Sequence, residues 1–149
     1  MRLLTSALAA LLALSACSGG GSSTGQEPER INGVQVPPQP DMTANLATIV
    51  GVDSDANGIR DDIDRKLATD FGAVPAQHTV AIAHARSLQK AIASISATNT
   101  SAHVLSVSCT DAAALKRHKT VTMATLDSAG RRAAYAEAFS GAVISQEGC

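Results

Sequence analysis

Apolar positions recur with helical spacing through most of the chain. From about Ala76 to Ser96, Ala81, Ala85, Leu88, Ile92 and Ile95 follow one another at intervals of four and three, which lines them along one helix face, with His84, Arg86 and Lys90 off that stripe. Ile63, Leu67 and Phe71 recur every fourth residue and predict a helix over about Asp61–Phe71, stopped by Gly72 and then Pro75. A shorter apolar set, Leu46, Ile49 and Val50, predicts a helix over about Met42–Val50. A third long stretch covers roughly Ala102–Arg117 with Val104, Ser108, Ala112 and Leu115 as its stripe. It can break at Cys109-Thr110-Asp111, because Thr and Asp cap helix N-termini. Thr98–Ser101 reads as a polar break, and the β-branched run Thr120–Thr125 as extended. The last helix is expected over about Asp127–Ser145, with Tyr135, Ala138, Phe139 and Ala142 on one face. No segment alternates apolar and polar residues long enough to build a sheet. The fold class predicted is all-α, a small bundle of about four helices.

The first forty residues carry a different pattern. Arg2 precedes an apolar run, Leu3–Leu14, which has the length of an export signal and is too short to span a bilayer as a helix. Residues 18–25 are rich in Gly and Ser, and Pro37, Pro38 and Pro40 stiffen the far end, so 17–40 reads as a tether. Within it, Ile31-Asn32-Gly33-Val34 carries an Asn-Gly turn signal that can dock on the domain. The expected organisation is a signal peptide at 1–16, a tether at 17–40 and a helical domain at 41–149.

At the end of the apolar run stands Leu14-Ser15-Ala16-Cys17. This run resembles the lipobox of bacterial lipoproteins. The resemblance implies cleavage before Cys17, lipid on its sulfur and a membrane partner reached through that anchor. Ser18 stands where an inner-membrane retention signal would place Asp, so the resemblance favours the outer membrane. With Cys17 acylated, Cys109 and Cys149 remain, and an even pair in an exported protein reads as a disulfide. The competing reading is two free buried thiols.

Composition changes the picture in two ways. The chain has only two Phe, one Tyr and no Trp, so its core must be built from small aliphatic residues, and added staples matter more. Residues 1–16 carry one charge, Arg2, which leaves 11 basic against 13 acidic residues and a net charge of −2 in the processed chain. That balance gives no footprint for nucleic acid. Five of the 13 acidic residues (Asp53, Asp55, Asp61, Asp62, Asp64) fall within twelve positions, with Arg60 the basic residue among them.

Those twelve positions carry the clearest chemistry. In Asp53-Ser54-Asp55-Ala56-Asn57-Gly58-Ile59-Arg60-Asp61-Asp62-Ile63-Asp64, oxygen-bearing side chains stand at loop positions 1, 3, 5, 9 and 12. A hard cation such as Ca2+ takes six to eight oxygens at about 2.4 Å, and alternate residues of a curling loop aim inward. Gly58 permits the positive φ of a sharp turn. Ile59 can lend its backbone carbonyl while its side chain enters the core. The expected ligands are therefore Asp53, Asp55, Asn57, Ile59 (carbonyl), Asp61 and Asp64, with Asp62 turned away.

The loop resembles the EF-hand calcium loop. With Asp64 rather than Glu at position 12, it is closer to the loops of dockerins and thrombospondin type 3 repeats. The shorter last side chain argues against sensor-grade affinity. A looser likeness, carried by Asn32-Gly33-Val34 with Pro37-Pro38, by Gly51–Asp64 and by Arg131–Gly141, links the chain to a group of uncharacterised proteobacterial lipoproteins and implies architecture and address only.

Other signals are weaker. His78, His84, His103 and His118 form no metal-binding spacing in sequence and are expected to be exposed helix residues. Cys109 with His118 could pair as nucleophile and base, but the disulfide is the stronger use of Cys109. No GxSxG, Ser-x-x-Lys or glycine-rich phosphate loop occurs. Lys116–Lys119 and Arg131-Arg132 read as solvated helix ends. The sequence thus predicts a lipid-anchored, calcium-stabilised structural or binding module of the cell envelope rather than an enzyme. A dockerin-like docking module is the alternative, and an envelope enzyme the remote one.

Overall fold

A computed structural model describes residues 27–106 and 111–140. Among them the chain forms a two-residue-per-strand hairpin, β1 (Arg30–Ile31) and β2 (Val34–Gln35), and six helices: α1 (Met42–Leu46), α2 (Asp61–Phe71), α3 (Pro75–Ala93), α4 (Ala97–Ser106), α5 (Ala112–Thr125) and α6 (Ala129–Ala138). The predicted all-α class stands. No helix among the described residues is long and apolar enough to cross a membrane. Residues 1–16, expected as a signal peptide, and Cys17, Cys109 and Cys149 lie outside the described residues.

α3 is the central helix and packs against α2, α4, α5 and α6. Its predicted stripe is its buried face: Ala81, Ala85 and Leu88 have no exposed surface, and Ile92 almost none. Ile95 falls beyond the helix end and is exposed. Ile63, Leu67 and Phe71 bring α2 into the same core, joined by Ile59, Val121 of α5 and Phe139. The small Ala side chains on α3 let its neighbours approach closely, which compensates for the missing aromatics. Pro75 occupies the first turn of α3, where its missing N–H costs nothing.

The structure redraws the region after α3. Thr98–Ser101, expected as a break, lies inside α4. The expected stretch 102–117 is two helices, and the N-cap is one of those anticipated: the Asp111 carboxylate accepts the Ala114 N–H at 2.7 Å. Thr120–Thr125 is helical rather than extended. Its β-branched residues are tolerated because Val121 and Thr125 are fully buried, so tertiary packing overrides propensity. Of the stripe assigned there, Val104 packs against the core and Ser108 lies outside the described residues, but α5 buries Ala114, Val121 and Thr125 while Leu115 is half exposed. Ser128 caps α6 by accepting the Arg131 N–H.

Packing begins before Asp41. Asn32 (φ 51°) and Gly33 (φ 80°) form the tight turn their dipeptide signals, with Ile31 opposite Val34. The Asn32 amide donates to the carbonyls of Ala68 and Thr69, both at 3.0 Å, and so ties the hairpin to the end of α2. Arg65 on α2 makes a forked pair with Glu29 and donates to the Pro37 carbonyl at 2.8 Å. Val36 is buried. Residues 29–37, assigned by composition to the tether, thus belong to the packed domain, because side-chain hydrogen bonds from Asn32 and Arg65 fix a segment whose own ladder is minimal.

Candidate functional site

The acidic loop joins α1 to α2 and is held from beneath by an ionic network. α1 starts under an Asp41 cap and lasts five residues, because the chain turns back through Gly51 at φ +71°. The Arg60 side chain, with no exposed surface, pairs in a fork with Asp62 at 2.8–2.9 Å and reaches Asp127 at 2.9 Å and the Ala124 carbonyl at 3.2 Å. Arg131 is equally buried. It pairs with Asp127 at 2.7 Å and donates to the carbonyls of Asn45, Thr48 and Ile49, the unsatisfied end of α1. Gln89 of α3 donates to the Val50 carbonyl, and the Asn45 amide oxygen accepts the Val52 N–H. Buried guanidinium groups demand such satisfaction, because an unpaired one costs several kcal/mol. Arg131 is therefore an internal bracket, not the solvated helix end that its neighbour Arg132 suggests.

This network decides the electrostatics of the loop. Arg60, the basic residue within the twelve positions, faces away from the loop centre. Desolvation would raise the Asp62 carboxyl, but the Arg60 guanidinium outweighs it and holds Asp62 below the usual carboxylate range. Asp62 thus lies outside the cluster. Asp53, Asp55, Asp61 and Asp64 remain without that counter-charge.

Three of the other predicted ligands, Asp53, Asp55 and Asp61, converge. Carboxylate oxygens of Asp53, Asp55 and Asp61 all lie within 4.8 Å of one another, about the span of two Ca–O bonds of 2.4 Å. Ala56 (φ 55°) and Gly58 (φ 86°) turn the loop over them. Asp53 accepts the N–H groups of Asn57 and Gly58, and Asp61 accepts the Ser54 N–H at 2.9 Å, so loop backbone orients both carboxylates. Ile59 has no exposed surface and anchors the loop in the core. The Asn57 amide N–H group donates to Asp64 at 2.6 Å and to Asp55 at 3.0 Å, while its oxygen accepts the Ile59 N–H. A side-chain amide thereby provides the positive dipole between two carboxylates. Burial pushes the Asp64 carboxyl up to about 6 against that amide's help, with the Asp55, Asp53 and Asp61 charges adding to the rise. Arg86 of α3 donates to the Asn57 carbonyl at 2.8 Å and braces the loop from outside.

No family model, curated protein or solved structure matches this chain. The reading of the loop therefore rests on its own residues. These fit a hard cation: oxygens of the right type at the right separation, a buried carboxyl that resists ionising alone, and an amide whose oxygen faces the cluster if the group turns over. Asp53, Asp55, Asn57, Asp61 and Asp64, with the Ile59 carbonyl, are the groups that could hold it.

The histidines depart from expectation. His84 and His103 are 5% and 3% exposed, and together with His118 they cluster where α3, α4 and α5 meet. Single-helix spacing could not reveal this, because each ring comes from a different helix. Near the hairpin, a groove of about 630 Å³ runs past Glu29, Val36, Pro37, Pro38, Ser54 and Asp55.

Proposed function

We propose that the chain is a lipid-anchored module of the cell envelope whose helical domain is stapled by one Ca2+ in the Asp53–Asp64 loop, and that it serves a structural or binding role rather than a catalytic one. The observation that carries the metal half is the triad of Asp53, Asp55 and Asp61 oxygens within 4.8 Å, beside an Asp64 carboxyl pushed up to about 6. Four acidic groups drawn together while Arg60 is committed elsewhere repel one another, and a divalent cation converts that cost into binding energy. Leu14-Ser15-Ala16-Cys17 supports the anchor.

The site is built as a staple rather than a sensor. Its exit is fixed by Arg60 and Arg131 to the α5–α6 corner, so little is left to move on binding. An affinity of order 10⁻⁴–10⁻³ M, typical of extracellular modules, would keep such a site filled at millimolar calcium. At 1 mM Ca2+ and a Kd near 10⁻⁴ M, binding stabilises the fold by about 1.4 kcal/mol. For a domain near this size that raises Tm by about 6–11 °C at roughly 4–8 °C per kcal/mol. Thermal melting of the processed chain in calcium and in chelator tests this. A rise of several degrees supports the proposal, and identical curves overturn it.

A further inference from the structure

The clustered histidines serve neither the loop nor the Arg60–Asp127–Arg131 network. The ring of His84 on α3 lies 5.1 Å, centre to centre, from that of His103 on α4 and 5.1 Å from that of His118 on α5. The His84 and His118 planes are 6° apart and stacked, and His103 stands edge-on to Phe139. His103 Nδ1 is 2.9 Å from Ser87 Oγ. His84 Nε2 and His118 Nδ1 are buried with no hydrogen-bond partner among the described residues. The rings pack face to face rather than around a common point, and among the described residues only Asp53, Asp55 and Asp61 bring metal-ligating atoms within 4.8 Å.

The charged and titratable groups that act on His84 suit an uncharged ring. From α5 come His118 and Arg117, and from α4 His103. The α6 side contributes Phe139, with the Tyr135 ring tilted against it at 4.5 Å between centres. The charges acting on His84 are those of His103, His118 and Arg117, none of them a carboxylate. A proton added to any of the three rings places a cation among potential cations in low dielectric, and on His84 Nε2 or His118 Nδ1 it meets no acceptor among the described residues.

We infer that the His84–His103–His118 cluster is an acid-sensitive latch, closed while its rings are neutral, whose protonation releases α4 and the facing part of α5 from α3. Burial, then the neighbouring rings and Arg117, push His84 down to about 3; burial, then His118, push His103 down to about 4. A histidine whose folded pKa lies below its unfolded value near 6.5 contributes full stability above that value and loses it as pH falls through 6.5. Between pH 7.5 and 5.5 His84 and His103 each shift the closed–open equilibrium by about tenfold, and together by about a hundredfold. On the opposite side of the bundle the Arg60 guanidinium holds the Asp62 carboxyl below the usual carboxylate range, so that pair keeps its charge.

Amide hydrogen exchange on the whole processed chain at fixed calcium tests the latch, with rates corrected for the intrinsic effect of pH. Acidification from pH 7.5 to 5.5 should raise exchange in α4 by about tenfold or more. His84→Phe with His103→Phe, which keeps rings in the interface, should abolish most of that rise. Unchanged α4 exchange in the unmodified chain overturns the inference, as does an equal response in the double variant. Should the variant fail to fold, NMR titration of the histidine Cε1 protons decides: apparent pKa values below about 5 for His84 and His103 support the latch, and values near the ordinary 6.5 refute it.

Discussion

Gly51 is the backbone pivot around which both buried arginines are arranged, and replacing it by Ala should be far more damaging than its place in a loop suggests. Its φ of +71° carries a strain of about 1 kcal/mol for any residue with a Cβ. The larger effect is contact. A Cβ at Gly51 would overlap Arg60 Cδ and lie 2.6 Å from Asn45 Oδ1 and 2.9 Å from Arg131 Nη2. Neither guanidinium can swing into water, because both are fully buried, and displacing one breaks buried ion pairs at about 3–5 kcal/mol. Gly51→Ala should therefore cost about 4–6 kcal/mol. Gly33→Ala is the matched control: φ is +80°, but nothing lies within 4 Å of its Cβ, so strain of about 1 kcal/mol acts alone. Urea unfolding followed by circular dichroism measures both. With a slope of about 1–2 kcal/mol per M, Gly51→Ala should lower the midpoint by at least about 2 M, or leave the chain unfolded, and Gly33→Ala by about 1 M or less. Losses equal within about 1 kcal/mol would refute the role assigned to the arginine network.

Asp127→Asn removes a carboxylate shared by both buried arginines. It should cost about 2 kcal/mol in the same assay, allowing for the partial exposure of Asp127, whereas Asp70→Asn, which breaks the exposed Lys66 pair, should cost under about 0.5 kcal/mol. Alkylation of envelope-derived protein under denaturing, non-reducing conditions should find Cys109 and Cys149 blocked as a disulfide; two modified thiols would contradict the pairing. Cys17→Ser should abolish metabolic labelling with a fatty-acid analogue, and equal labelling of the variant would rule out the anchor.

Legibility in the sequence tracks the range of the interactions. α2 and α3 can be read because their buried stripes are local, four or three residues apart, and their stops are Gly72 and Pro75. The acidic loop can be read because its donors alternate within twelve residues. The region from Ala97 to Thr125 misleads because polar and β-branched residues are helical there for tertiary reasons, as Val121 and Thr125 show. Arg131 and the three histidines look like surface residues in sequence because what buries them comes from elsewhere in the chain: the end of α1 and the turn after it for the arginine, three separate helices for the rings. Arg60 stands out as the basic residue among the acids, but its commitment to Asp127, 67 positions away, is visible only in three dimensions. The docked hairpin lies between these cases, since Asn32-Gly33 announces the turn but not the α2 carbonyls that receive Asn32.

The proposed function turns on the loop binding one Ca2+ through the oxygens that converge and not through the carboxylate that turns away. Calorimetric titration of the processed chain with millimolar calcium, alongside Asp53→Ala and Asp62→Ala, separates the two. Asp62→Ala loosens the Arg60 fork, so its unliganded fold should be less stable, yet it leaves the ligand set intact. The expected result is one site per chain in the unmodified protein, an affinity within about threefold in Asp62→Ala, and loss of binding in Asp53→Ala. Absence of binding heat together with absence of a calcium-dependent thermal shift in the unmodified chain would contradict the staple, as would equal losses in the two variants.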